Sequence, residues 1–488
     1  MSGNAKNKNS SGRSPPEHEW FIVMAAVTVC FAFGPPQAEA GTAWLERQKL
    51  LSPDGAANDR FGYSVSISGD YAIVGAAYDD DKGDYSGSAY IFRWDGTSWS
   101  QQQKLTASDG AAWDYFGWSV SISGDLAIVG AWGDDDKGID SGSAYIFKRD
   151  DTGWSQQTKL LASDGAADDW FGWSVSVSGD LAIVGAYRDD DKGYDSGSAY
   201  IFKRDGTAWV QQQKLTASDG AAMDYFGWSV SISGDKIIVG AYGDDDKGDY
   251  SGSAYIFRWD GTSWSQQQKL LLSDGAANDL FGCSVSISGD YAIVGADQYY
   301  SGGTGKAYIF KWDGTTWVQQ QKITALDGAA GDWFGWSVSI SGDYAIVGAN
   351  GDDDKGDASG SAYIFKRNGT SWSQQQKLIA SDGADGDWFG YSVSISGDLA
   401  IVGANSDADK GSDSGSAYVF ESVFERVCPT ADLNGDCCVN FADFAVIGSQ
   451  WLQAPGVPSA DIAPEGGDGV VNFLDLDILV NEWLQCGE

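Results

Sequence analysis

Large apolar and small polar residues alternate through Phe116-Gly-Trp-Ser-Val-Ser-Ile-Ser123, so that Phe116, Trp118, Val120 and Ile122 share one face and Gly117, Ser119, Ser121 and Ser123 the other. That period of two predicts a strand over Phe116 to Ser123. Ser123-Gly-Asp125 is a tight turn, and Leu126-Ala-Ile-Val-Gly-Ala131, apolar on both faces, predicts a second strand buried on both sides. A polar loop, Trp132 to Asp140, leads to a third strand at Ser143-Ala-Tyr-Ile-Phe147. After a turn at Lys148 to Gly153, the more polar Trp154 to Leu160 suits an exposed fourth, edge strand. The bulky face of the first strand predicts large-on-small packing against a neighbouring unit of the same kind.

Nearly the same words recur along the chain. The Phe-Gly pair falls at Phe61, Phe116, Phe171, Phe226, Phe281, Phe334 and Phe389, in steps of 55 residues with one of 53 between Phe281 and Phe334. Repeated units of four antiparallel strands predict an all-β fold, a seven-bladed β-propeller over residues 44–420. The ring closure is also legible. Trp44-Leu-Glu-Arg-Gln-Lys-Leu50 matches the fourth-strand words Trp99 to Leu105, whereas the repeats end at Ser416-Ala-Tyr-Val-Phe420, a third strand. The first strand is therefore expected to complete the last blade.

Charge narrows the partners. With 69 acidic and 31 basic residues the formal net charge is −38, which disfavours nucleic acid and anionic membranes. The 13% aromatic content argues against the disorder such charge would otherwise imply. His18 is the only histidine, and no glutamate lies between Arg47 and Phe420. Histidine-based nucleophilic catalysis and His-ligated zinc are excluded from the repeats; a glycosidase built from aspartates remains conceivable. Near-identical blades are expected to offer no unique pocket, and the protein is read as non-enzymatic.

In a four-stranded meander, the loop between strands two and three emerges at the same end as the crossover to the next blade. The first loop set carries Asp79 to Asp81, Asp134 to Asp136, Asp189 to Asp191, Asp244 to Asp246 and Asp352 to Asp354; the second carries pairs such as Asp109 with Asp114 and Asp219 with Asp224. One face is expected to hold most of the negative charge. Two readings stand for these aspartates: oxygen ligands for Ca²⁺, or turn residues accepting backbone N–H groups and otherwise solvated. Blade five departs, with Asp297-Gln-Tyr-Tyr-Ser301 in place of the triplet. The residue before each Phe-Gly (Arg60, Tyr115, Trp170, Tyr225, Leu280, Trp333, Trp388) varies and is expected to be exposed. The residue after it is nearly always Trp or Tyr and is expected in the core. The exposed aromatics stack sugar faces on one reading and pack the rim on the other.

The ends differ from the middle. Lys6, Lys8 and Arg13, an apolar run from Trp20 to Phe33 and Ala38-Glu-Ala40 have the layout of a signal peptide over residues 1–40. The expected product is secreted or held at the cell surface, without a transmembrane anchor after cleavage. A linker is expected over 421–430 and a separate small α-helical domain over 431–488. There Asp432, Asn434, Asp436, Asn440 and Asp443 occupy positions 1, 3, 5, 9 and 12 of an EF-hand-like loop, and Cys438 would give its carbonyl at position 7. A second, lengthened loop offers Asp468, Asn472 and Asp475. Ca²⁺ is the cofactor these loops predict.

The words Phe116-Gly-Trp-Ser-Val120 and Val129-Gly-Ala131 resemble the FG-GAP repeat family, which includes the seven-bladed head of integrin α subunits. The resemblance implies a propeller used for adhesion or for binding a glycan or protein ligand. The family's Asp-x-Asp-x-Asp-Gly calcium loop between the first two strands has no counterpart in Ser123-Gly-Asp125. The tail, where Asn440-Phe-Ala-Asp443 through Trp451-Leu-Gln453 returns as Asn472-Phe-Leu-Asp475 through Trp483-Leu-Gln485, resembles type I dockerins. This implies Ca²⁺-dependent docking onto a cohesin-like or other surface protein, and as an alternative function a role in an extracellular polysaccharide-degrading assembly. Phe441-Ala442 and Phe473-Leu474 stand where many dockerins carry Ser-Thr. Cys428, Cys437, Cys438 and Cys486 allow three pairings, of which the duplicated layout favours Cys428–Cys486. Cys283 is expected to be a buried thiol.

Overall fold

Strand after strand, each repeated word becomes one four-stranded antiparallel sheet, and seven such sheets form. This is a computed structural model, which describes residues 41–425 and Val446; nearly all of them belong to the unit Trp44–Ser422. In blade two the strands are Ser119–Ser123, Leu126–Ala131, Ser143–Asp150 and Gly153–Leu160, in that order from the axis outward. Ser123 pairs with Leu126 across a two-residue turn whose Gly124 has φ 59°, a conformation that glycine adopts without strain. Between residues 41 and 425 the one helical element is a 3₁₀ turn at Tyr299–Ser301, in blade five.

The ring closes as the copy count predicts. Gly41–Leu50 pairs with Ser416–Glu425, so the last blade draws its outer strand from the start of the repeats and its other three from their end. No sheet is left with an unfilled place, which removes an edge that would otherwise recruit another chain.

The hydrophobic core lies between blades. Ile73, Ala89, Ile91 and Leu105 of blade one meet Phe116, Val120, Ile122, Tyr145, Phe147 and Trp154 of blade two, all buried. The other face of blade two, with Ile128, Ala144 and Ile146, meets blade three. Bulky aromatics therefore face smaller aliphatics at each interface, as the alternation predicts. Serines on the first strands add polar ties. Ser119 Oγ donates to the Gly172 carbonyl at 2.8 Å, and Ile122 N–H donates to Ser66 Oγ at 3.1 Å.

The first strand is shorter than the alternation predicts, starting at Ser119 rather than Phe116. Phe116 instead bridges in parallel to Gly87 of the preceding blade. Gly117, at φ 95°, turns the chain there; a Cβ on it would stand 2.2 Å from the Ser88 carbonyl oxygen. A Cβ on Gly130 would stand 1.9 Å from the Gly172 carbonyl oxygen. Both glycine words thus mark backbone contacts between blades. In blade seven the strand does begin at its phenylalanine, Phe389–Ser396.

The fourth strands are not the plain solvent edges that their polarity suggests. Gln103 accepts the Trp154 N–H at 3.0 Å and donates to the Trp154 carbonyl at 2.7 Å, clasping the next blade through its side-chain amide. The same pair joins Gln48 to Trp99, Gln213 to Trp264, Gln268 to Trp317, Gln321 to Trp372 and Gln376 to Trp44. Blade two carries Thr158 at this register, opposite Ile146, and Thr158 Oγ1 turns to the Lys159 carbonyl.

Candidate functional site

The two acidic loop sets combine into one structure. Asp109 from a crossover and Asp134 and Asp136 from a strand two–three loop bring carboxylate oxygens within 4.8 Å of one another. Comparable clusters form at Asp164, Asp189 and Asp191, at Asp327, Asp352 and Asp354, and at Asp382, Asp407 and Asp409, and their geometry could hold a cation. In each of them lies a lysine ammonium. Lys159 Nζ is 2.8 Å from Asp109, 2.7 Å from Asp134 and 2.7 Å from Asp136. Tyr145 OH lies 2.9 Å from the buried Asp134 carboxylate and 3.1 Å from Asp109. Burial works against the charge on Lys159, but the hydrogen bonds it donates to three aspartates outweigh this and hold the ammonium above its ordinary range.

Lys49, Lys104, Lys214, Lys269 and Lys377 each bridge three aspartates in the same way. The triplets therefore do not act as triplets. Their middle member turns aside, as Asp135 does to accept the Asp140 N–H at 2.8 Å. The cation comes from the fourth strand, whose recurring Gln-Lys-Leu word carries the signal that loop-by-loop reading passes over. Among the described residues blade five lacks this cage: Lys322 meets Asp274 alone, at 3.1 Å, and the buried Tyr308 hydroxyl has no partner.

The second aspartate of each crossover takes the turn role. Asp114 accepts the Ala111 N–H at 2.7 Å and is buried. Burial pushes it up to about 6, as it does Asp59, Asp169, Asp224 and Asp387. In blade five the corresponding Asp279 keeps this turn bond, accepting the Ala276 N–H at 2.9 Å, and its other oxygen also takes Gln298 Nε2 at 2.7 Å and Lys306 Nζ at 3.3 Å.

The residues after Phe-Gly are half-buried rather than core, and form a ring at the inner strands. Tyr63 and Trp118 have centroids 4.5 Å apart, Trp118 and Trp173 4.7 Å, and Trp173 and Trp228 4.8 Å. On the other side Trp336 lies 5.6 Å from Tyr391, which lies 5.0 Å from Tyr63. Cys283 occupies the remaining place, between Trp228 and Trp336 in blade order. It is half-buried, and its Sγ donates to the Gly335 carbonyl at 3.6 Å; burial pushes the thiol well above its ordinary value.

A second tier of aromatics follows the ring across blades two to four. Tyr115 stacks on Trp132 at 4.6 Å; Trp132 lies 4.4 Å from Trp170, and Trp170 5.5 Å from Tyr187. Tyr187 then lies 5.6 Å from Tyr225, which stacks on Tyr242 at 5.1 Å. Trp113 and Tyr194 stand outside this tier, 51% and 62% exposed. The residues before Phe-Gly are half-buried, except Leu280, which is buried. Trp132, Tyr187 and Tyr242 were not singled out in the sequence; their signal is the aromatic that directly follows Val-Gly-Ala.

One place in the ring is open. A cavity of about 370 Å³ lies at Cys283, walled by Trp228, Tyr242, Leu280, Tyr299, Tyr300 and Trp336, with Asp297 among its lining residues. The expectation that no blade offers a distinct pocket is thus corrected. Blade five does, because its shortened repeat replaces an aromatic by Cys283 and the Asp triplet by the turn carrying Tyr299 and Tyr300. The tail positions expected to bind Ca²⁺ (Asp432, Asn434, Asp436, Cys438, Asn440, Asp443, Asp468, Asn472 and Asp475) lie outside the described residues, as do the signal peptide and the tail cysteines. Among the described residues no helix is long and apolar enough to cross a membrane.

The family model for the FG-GAP repeat matches residues 44–92, 99–147, 154–202, 209–257, 264–310, 317–365 and 372–420. No curated protein matches the chain.

Proposed function

Since the chain belongs to the FG-GAP repeat family, folded as a closed ring of seven blades, we propose that it is an exported, non-enzymatic binding protein whose aromatic-bearing propeller face takes a glycan. The observation that carries this reading is the continuous tier from Tyr115 through Trp132, Trp170, Tyr187 and Tyr225, with Trp113 and Tyr194 exposed beside it. Rings with an apolar face and a polar tip suit sugars, whose faces are apolar and whose rims are hydroxylated. Aspartates around the tier supply acceptors for hydroxyl groups. The lysine cages neutralise part of the acid, so the face can approach a neutral polymer without the full repulsion of its carboxylates.

The tail completes the proposal. Its duplicated loops, with ligands from Asp432 to Asp443 and from Asp468 to Asp475, would bind Ca²⁺ and dock the protein onto a cohesin-like or other surface partner. The exported, cell-surface setting rests on the leader-like head.

A glycan array probed with the intact protein tests the face. Binding to a defined glycan class is expected, weakened about tenfold or more by Trp113→Ala or Tyr194→Ala, as for loss of an aromatic anchor. An array with no glycan bound, together with capture of a purified extracellular protein, would replace the glycan by a protein ligand. Release of reducing sugar by the intact protein would overturn the non-enzymatic reading.

A further inference from the structure

The open place in the aromatic ring adjoins the end of the tier, with which it shares Tyr242, and carries chemistry of its own. Its walls present Trp228, Tyr242, Tyr299, Tyr300 and Trp336. Trp228 and Tyr242 meet edge to face at 4.6 Å on one side, and Tyr299 meets Trp333 at 4.8 Å and Trp336 at 6.0 Å on the other. Between them lies Asp297, only 3% exposed. It accepts the Tyr299 N–H at 3.0 Å, and the Cys283 thiol, which donates to the Gly335 carbonyl, lies beside it. Among the described residues no lysine or arginine pairs with it and no basic residue lines the cavity. This sets it apart from the buried aspartates of the six cages, each of which meets a lysine.

A buried carboxylate facing a cavity without a counter-charge favours a cation from outside. The wall decides which kind. A primary ammonium carries three N–H donors and needs acceptors for them; this cavity offers one carboxylate and otherwise mainly aromatic surface. A bare metal ion needs six or more oxygens, which are not there. A methylated ammonium has few or no donors to satisfy, is attracted by ring faces and buries apolar methyl groups against them. We propose that the blade-five pocket binds a methylated ammonium group, seated among Trp228, Tyr242, Tyr300 and Trp336 and facing the Asp297 carboxylate. The volume of about 370 Å³ leaves room for a choline-sized ligand or for the end of a longer one. The site does not depend on glycan binding elsewhere on the face.

Tryptophan fluorescence and calorimetry of the intact protein with choline chloride test this, with 3,3-dimethylbutan-1-ol as the uncharged control of the same shape. Choline is expected to bind saturably and at least about tenfold more tightly than the control, the range that cation–π and carboxylate attraction supply. Asp297→Asn should weaken choline by about tenfold and leave the control nearly unchanged, since only the charge is removed. Tyr300→Ala, at a residue 62% exposed and therefore safe for folding, should weaken choline by about threefold or more. Phosphatidylcholine vesicles separate the sources: co-sedimentation displaced by choline assigns a lipid headgroup, and choline binding without co-sedimentation assigns a free small molecule. Equal affinity for choline and its uncharged control, or no saturable choline binding, overturns the proposal, whatever the glycan array gives.

Discussion

Lys49 Nζ lies 2.8 Å from Asp407 Oδ2, although 358 residues separate the two in the chain. The first strand thus delivers to the last blade both its outer backbone ladder and the ammonium for its three carboxylates. Asp407 is nearly buried, with a side-chain exposure of 5%. Closure of the ring and neutralisation of the last acidic cluster are one event.

Lys49→Met should therefore destabilise the propeller by about 3 kcal/mol, because it leaves a buried carboxylate without its partner. Denaturant unfolding measures this. A loss equal to that of an exposed ion pair would show that the clasp is held by its strand alone.

Blade five supplies an internal control. Lys322 is 36% exposed and meets only Asp274, whereas Lys159 is 15% exposed and meets three aspartates. Lys322→Met should cost about 1 kcal/mol or less, and Lys159→Met about 3 kcal/mol. The comparison fails if the two variants unfold alike.

Removing the ammonium also exposes an oxygen site. In the parent protein the main unfolding transition should be the same in Ca²⁺ and in EDTA, because lysine already offsets the acid in the cages. In Lys159→Met the carboxylates of Asp109, Asp134 and Asp136, within 4.8 Å of one another, lose that charge. Millimolar Ca²⁺ is then expected to recover part of the lost stability, by mass action on the folded state. Scanning calorimetry in both media reads the difference.

Thr158 marks a missing clasp. Glutamine at the same register in the other six blades holds the next blade's tryptophan backbone through two hydrogen bonds. Thr158→Gln should stabilise by about 1 kcal/mol by adding the pair to Trp209. A lower melting temperature would mean that the blade two–three interface has no room for the amide.

Stability should peak in mild acid. Asp59, Asp114, Asp169, Asp224 and Asp387 are pushed by burial from an ordinary 3.8 to about 6. The folded state therefore holds their protons more tightly than the unfolded state, and stability falls as pH rises from about 4 through about 6. Asp54 has the opposite sign. Burial would raise it, but hydrogen bonds from Lys104, Ser52 and Tyr90 outweigh this and hold it at about 2. Its contribution is present above 3.8 and is lost as pH falls toward 2. Melting temperature against pH should accordingly rise from pH 7 to a maximum between about 4 and 5, then drop; a profile flat from 4 to 7 would contradict the burial of these aspartates.

By itself the sequence determined the blades, their number and the clasp, because each rests on local information. Alternation with period two, a turn at Ser123-Gly-Asp125 and words repeated every 55 residues need no knowledge of distant contacts. It also marked blade five as different, through the 53-residue step, Cys283 and the missing triplet. Only the tertiary structure decided what those differences do. A lysine cage joins residues 50 and 25 positions apart, as Asp109 and Asp134 are from Lys159, and which of three adjacent aspartates points inward depends on the loop's own hydrogen bonds. The inner aromatics read as core from their uniformity, but uniformity reflects the equal spacing of blades around the axis, which repeats one environment at every turn. The pocket exists because one member of that ring is small, and a gap is a property of neighbours brought together by closure.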